Sequence, residues 1–172
     1  MRGGNGSGKS TFMRLFAGLE RPSSGSFEVD GTALTVVGEA NYRALFSIVM
    51  TDFHLFDKFY GCVDFNSVQF NKWVAKLGLI EKAANKDELP TVALSTGQKK
   101  RMALLAAILE NRQILLLDEV AADFDPVARE KFYREILPEL KTEGRTLFVI
   151  SHDDRYYDIA DRVVTMREGT MV

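Results

Sequence analysis

Apolar residues change their spacing from one segment of the chain to the next, and the changes mark out alternating helices and strands. Phe12, Leu15, Phe16 and Leu19 recur at helical intervals, so residues 9–19 predict a helix. Pro22 to Gly25 predicts a turn. Ser26 to Val29 and Thr32 to Val36 flank Asp30-Gly31, the pattern of a hairpin. Asn41 to Phe46 predicts a short helix and Ser47 to Met50 a short strand. Residues 66–80 predict a helix with Val68, Trp73, Leu77 and Ile80 as core positions, and residues 83–90 a polar loop. Lys99 to Leu109 predicts a strongly apolar helix. The unbroken run Ile114 to Leu117 predicts a buried parallel strand. Pro126 to Leu140 predicts an amphipathic helix with Phe132, Ile136 and Leu140 on one stripe. Thr146 to Ile150 predicts a second buried strand, Arg155 to Ile159 a short helix, and Arg162 to Met166 a last strand before a Glu168-Gly169 turn. This alternation predicts an α/β fold around a largely parallel sheet. Ligands of such sheets gather at the carboxyl ends of strands, where Asp118-Glu119 and Ser151-His152 stand.

Composition narrows the classes. The 172 residues suffice for one domain with a real core. A net charge of −2 leaves no basic footprint, so nucleic acid is not an expected partner. The single Cys62 cannot form an internal disulfide and reads as a packing residue of a cytosolic domain. No apolar run approaches the ~18–20 residues that cross a bilayer, and no secretory signal is visible. A membrane role would come through partner segments.

The candidate chemistry begins at residue 3. Gly-Gly-Asn-Gly-Ser-Gly-Lys-Ser at residues 3–10 fits G-x-x-x-x-G-K-[ST], a loop that wraps nucleotide phosphates with backbone N–H groups and feeds a helix N-terminus. Gly3, Gly4, Gly6 and Gly8 allow a tight curl and close approach to an anion, and the N–H groups form a nest. Asn5, Ser7 and Thr11 complete the predicted nucleotide-binding set. Lys9 is expected on the β- and γ-phosphates and the Ser10 hydroxyl on Mg²⁺. Such a loop is entered from a buried strand, which Met1 and Arg2 are too short to supply.

A nucleotide site of this kind needs an acidic group at a strand end to hold Mg²⁺. Asp118 fits that place, and Glu119 could orient or deprotonate an attacking water. Leu94-Ser95-Thr96-Gly97-Gln98 has two accounts of equal weight. Ser95 with Gln98 makes a capping box for the apolar helix, and a helix start of this kind can also bind a phosphate. Asp125-Pro126 likewise reads as an N-cap followed by proline.

These motifs, in this order, resemble the ATP-binding cassette (ABC) ATPases over nearly the whole chain. Leu94 to Gln98 resembles their signature, whose usual form is Leu-Ser-Gly-Gly-Gln. The resemblance implies an ABC-type nucleotide-binding domain with ATP as substrate and Mg²⁺ as cofactor, and a small helical subdomain at about residues 57–110. It also implies a second copy bound head to tail. Ser95, Thr96, Gly97 and Gln98 would then complete the partner's site in trans. It further implies Glu119 as the catalytic carboxylate, His152 as a sensor of the γ-phosphate and Asp125 as the link between the two sites. A finer resemblance, to the ATPase half of cyclic-peptide and siderophore-peptide exporters, rests on Thr51 to Asp57, Leu94 to Gln98, Asp118 to Pro126, Glu135 to Leu140 and Ser151 to Tyr157. It implies a transmembrane partner and a place on the cytoplasmic face of the inner or plasma membrane.

The chain departs from the family pattern in several places. The glutamine that usually touches Mg²⁺ is replaced at Thr51, beside Asp52; either could reach the metal through oxygen, and neither copies an amide. Thr96 replaces the first signature glycine, and Val120-Ala121 the Pro-Thr common after the glutamate. The family's strands ahead of the phosphate loop, on the order of 40 residues, do not precede Gly3. The chain is therefore expected to be truncated at its N-terminus, marginally stable and weak in nucleotide binding by itself. Phe53, Phe56, Phe59 and Tyr60 fit either a coupling surface or core packing. The alternatives to an exporter ATPase are a non-catalytic remnant and a soluble ABC ATPase outside transport.

Overall fold

A computed structural model describes residues 1–56, 58–59, 66–82 and 94–172. Cys62, Tyr60, the predicted loop at 83–90 and part of the predicted helical subdomain lie outside these described residues. Helix α1 (Lys9–Phe16) is followed by a small antiparallel hairpin, β1 (Glu28–Val29) and β2 (Thr32–Ala33). Next come short helices α2 (Leu34–Val37) and α3 (Glu39–Arg43), then strand β3 (Phe46–Val49) and helices α4 (Ser67–Lys76) and α5 (Thr96–Leu109). Strand β4 (Ile114–Asp118) leads into a 3₁₀ turn at Val120–Asp123 and helix α6 (Pro126–Lys131). A π-helical turn at Phe132–Ile136 joins α6 to α7 (Leu137–Thr142). Strand β5 (Thr146–Ile150), a 3₁₀ turn at Asp154–Ile159 and the hairpin β6 (Met166–Arg167) and β7 (Thr170–Met171) complete the fold.

The centre is a parallel sheet in the order β3-β4-β5. Leu115, Leu116 and Leu117 of β4 are wholly buried because helices cover both faces. On one face Leu115 and Leu117 join Trp73, Leu104, Ile108, Phe132 and Ile136; on the other Leu116 joins Met13, Phe46 and Ile150. Each fully buried leucine contributes ~2 kcal/mol of transfer free energy.

Several expectations need correction. Met1 and Arg2 form no strand, as expected, but they do make sheet-type contacts: the Met1 ammonium donates to the Val149 carbonyl at 2.5 Å, and Ser151 N donates to the Met1 carbonyl at 3.2 Å. On the other side Arg2 forms a parallel bridge with Thr165. Met1 thus pairs only toward β5 and Arg2 only toward Val164–Met166. The last strand starts at Thr165–Met166, where that bridge begins, rather than at Arg162. Leu34 to Val37 forms a helical turn instead of extending the hairpin. On α4 the core stripe is Phe70, Trp73, Val74 and Leu77, spaced i, i+3, i+4, i+7; Val68 and Ile80 lie off it and are exposed. The π turn precedes Pro138, which has no N–H to give and whose ring crowds the carbonyl of Arg134. Phe132, Ile136 and Leu140 still fall on one buried stripe.

Candidate functional site

The phosphate-type loop emerges from the Met1–Arg2 ladder on the same sheet end as Asp118 and Ser151-His152. Gly8, at φ 97°, turns the chain into α1 in a left-handed conformation that suits glycine. The loop is braced from behind by the β6–β7 turn, where Gly169 N donates to the Ser7 carbonyl at 2.9 Å. A Cβ on Gly3 would lie 2.4 Å from the Met166 carbonyl oxygen, so only glycine fits that contact. Gly4, Asn5, Gly6 and Thr11 are exposed, whereas Lys9 is buried beneath the loop. Lys9 Nζ donates to the carbonyls of Gly3 at 2.8 Å and Gly4 at 2.9 Å. The ammonium thus lies inside the curl of the loop.

Ser10 and Asp118, 108 positions apart, meet through a hydrogen bond of 2.8 Å from Ser10 Oγ to Asp118 Oδ2. Asp118 is 1% exposed, and its other oxygen, Oδ1, is buried with no partner among the described residues. A buried carboxylate oxygen without a donor is costly. A hydroxyl beside a carboxylate is also the hard-oxygen donor set that suits Mg²⁺. Thr51 Oγ1 donates to the Asp118 backbone carbonyl at 3.3 Å, which places it beside this pair; Thr51 and Asp52 are both exposed.

Glu119 follows in a left-handed conformation, φ 51° and ψ 35°. For a residue other than glycine this costs about 1 kcal/mol, and such outliers gather at functional sites. Its N–H donates to the Ile150 carbonyl at 3.1 Å, and its Oε1 lies 2.9 Å from His152 Nε2. Carboxylate and imidazole, from the ends of adjacent strands, therefore face each other. Ser151, just before the histidine, is held by a 2.7 Å hydrogen bond between its hydroxyl and that of Tyr133. Tyr157 OH also donates to the Ser151 carbonyl at 2.9 Å. Burial raises the pKa of Tyr133 above the usual phenol value, so it stays neutral in that contact.

The signature-like residues lie apart from the loop; among the described residues no hydrogen bond joins Ser95–Gln98 to residues 3–11. The capping box is formed, with Ser95 N donating to Gln98 Oε1 at 2.9 Å and Gln98 N to Ser95 Oγ at 3.2 Å. Thr96 is exposed, so its side chain displaces nothing. Gly97 differs: a Cβ there would lie 2.6 Å from the Asp123 carbonyl oxygen. Gly97→Ala is accordingly expected to destabilise the protein by about 1–3 kcal/mol and to lower ATP turnover. Thr96→Gly is expected to stay within about twofold of wild type. Thermal melts and phosphate release measured side by side check both.

Asp125 is the N-cap of α6, accepting from Ala128 N at 2.9 Å. That N–H holds its carboxyl below the usual range, so the cap is intact at neutral pH and is lost as pH falls through the lowered value. Two cations outside the predicted set also act on this region. Arg129 donates to the carbonyls of Ala121, Ala122 and Phe124 at 3.0–3.2 Å and lies 3.6 Å from Asp153. Lys100 lies buried beneath the turn after Glu119. One signal for it exists in the sequence: Lys100 shares a helical stripe with Leu104 and Ile108.

A glycine-rich loop feeding a helix, with an acidic strand end and a glutamate–histidine pair beside it, is the arrangement of a P-loop nucleotide-binding site. Comparison with known proteins agrees. The ABC transporter family matches residues 1–122. The ATP-binding protein SyrD of Pseudomonas syringae pv. syringae is 44% identical over 175 residues, covering 99% of this chain and 31% of that protein. The methionine import ATP-binding protein MetN of Corynebacterium efficiens is 31% identical over 187 residues, covering 99% and 51%. A bacterial Atm1-family ABC exporter with ATP bound superposes with a TM-score of 0.82 at 24% identity, over 99% of this chain and 32% of that one. The ATP-binding cassette MJ0796, a dimer bound to ADP and Pi, superposes at 0.77 with 22% identity, over 99% and 81%. The chain belongs to the ABC transporter family and is a nucleotide-binding domain of it. It spans about a third of the length of SyrD and half that of MetN.

Proposed function

We propose that this domain hydrolyses ATP at a site shared with a second nucleotide-binding domain and so drives export of a cyclic or siderophore-type peptide. The 2.9 Å approach of Glu119 Oε1 to His152 Nε2, beside the Ser10–Asp118 pair, carries the catalytic part of the reading. Residues 3–11 bind the phosphates, with Lys9 neutralising them from beneath. Ser10 and Asp118 hold Mg²⁺, with Thr51 rather than Asp52 the neighbouring oxygen. The metal, when bound, offsets charge on the phosphate oxygens. Glu119 accepts the proton of the attacking water, and His152 fixes the carboxylate and meets the γ-phosphate. Ser95, Thr96, Gly97 and Gln98, one side of a capped helix start, close over the nucleotide of the second domain, and Asp125 lies at the seam.

Helices α4 and α5 form the small helical subdomain. The exposed Val68 on α4, and the exposed Phe56 ahead of the subdomain, are surfaces for a transmembrane partner at the cytoplasmic face of the inner or plasma membrane. Among the described residues no helix is long and apolar enough to cross a membrane. The peptide substrate rests on the motif-level resemblance at Thr51–Asp57, Leu94–Gln98, Asp118–Pro126 and Ser151–Tyr157. Inside-out vesicles carrying the full-length protein are expected to accumulate a labelled cyclic peptide or peptidic siderophore with Mg-ATP and not with Mg-ADP. ATP hydrolysis without accumulation of either peptide overturns the substrate assignment.

A further inference from the structure

Lys100 is 4% exposed, one turn into α5 and in line with the wholly buried Leu104 and Ile108. A buried ammonium is tolerated only when its charge is paired and its donors are used. Lys100 Nζ is 2.7 Å from Asp123 Oδ2 and donates to the backbone carbonyl of Glu119 at 3.2 Å. Both acceptors belong to the turn that follows β4. The Glu119 carbonyl takes a second hydrogen bond from Ala122 N at 3.1 Å. These two donors define the direction of the Glu119–Val120 peptide and hence the left-handed backbone of Glu119. A third contact joins the same elements, since Gly97 packs directly on the Asp123 carbonyl.

We propose that Lys100 is a positioning residue for hydrolysis, locking the peptide after Glu119 so that the Glu119 carboxylate stays aimed at His152. The inference rests on reading Glu119 as the group that accepts the water's proton. Lys100 touches neither nucleotide nor reacting atoms; it acts through the Glu119 backbone. Without its charged donor the strained peptide is free to turn, and the carboxylate leaves the productive orientation. Residues 3–11, which bind ATP, make no hydrogen bond to Lys100 among the described residues, so affinity should be spared.

The test is steady-state ATP hydrolysis by the full-length protein and its Glu119→Gln, Lys100→Met, Lys100→Gln and Asp123→Asn variants, each with a thermal melt. Lys100→Met is expected to lower kcat about 30-fold with KM for ATP within about twofold. Lys100→Gln, which keeps a donor on a shorter arm, is expected to recover part of that loss. Asp123→Asn keeps the Lys100–Glu119 contact and is expected to lower kcat only about threefold. If Lys100→Met does not fold, the Lys100→Gln variant decides, and a wild-type kcat there overturns the proposal. A wild-type kcat in Lys100→Met with an inactive Glu119→Gln overturns it alone. Unimpaired turnover in Glu119→Gln overturns the underlying reading of the site instead.

Discussion

Glu119→Gln is expected to lower steady-state ATP turnover about a thousandfold, some 4 kcal/mol of barrier, while ATP affinity changes less than about threefold. The amide has the carboxylate's shape, so the left-handed backbone and the close approach to His152 Nε2 can persist. What it loses is the ability to accept a proton. The phosphate-binding residues 3–11 and the Ser10–Asp118 pair are untouched, so binding is preserved. Phosphate release at saturating Mg-ATP, together with titration of a fluorescent nucleotide, separates the two effects. Turnover above about a tenth of wild type removes Glu119 from the proton-handling role.

Lys9→Ala is expected to weaken Mg-ATP binding about a hundredfold, or ~2.7 kcal/mol. Two losses add here. The positive charge beneath the phosphates disappears, and the carbonyls of Gly3 and Gly4 lose the donors that now lie 2.8 and 2.9 Å away. An ammonium has three donors; two brace the loop, and one remains for a phosphate oxygen. Removing the side chain therefore loosens the curl as well as discharging it. Isothermal titration with Mg-ATP measures the loss, and a change smaller than about fivefold would refute the assignment of Lys9 to the phosphates.

Much of the fold is legible from residue spacing because it depends on local periodicity. The run Ile114–Leu117 becomes the central strand since a sheet covered on both faces admits only apolar side chains there. The helix after Ser95 starts where its capping box requires. Where reading by pattern fails, a nonlocal partner decides. Val68 and Ile80 look as apolar as Trp73, yet only the stripe through Phe70, Trp73, Val74 and Leu77 meets the core. Met1 and Arg2 are too short to read as a strand and form none, yet backbone contacts with β5 and with Thr165 hold them, a contact no local pattern announces. The two signature positions that depart from or match the family pattern are also told apart by contact. Thr96 faces solvent, whereas Gly97 meets the Asp123 carbonyl.

The sequence alone determined the inventory of the site: a glycine-rich loop with Lys9 and Ser10, an acidic pair at an apolar strand end, a capped helix start and a histidine after a second strand. Each is a short-range pattern whose chemistry is carried by residue type and spacing. Only the tertiary structure decided how these parts meet. It brings Ser10 to Asp118 across 108 positions and turns Glu119 toward His152. It also buries Lys100, a residue whose charge reads as surface, beneath the turn it holds. The physical reason is that such contacts depend on the parallel register of β4 and β5 and on which helix covers them, and neither is encoded in any one segment.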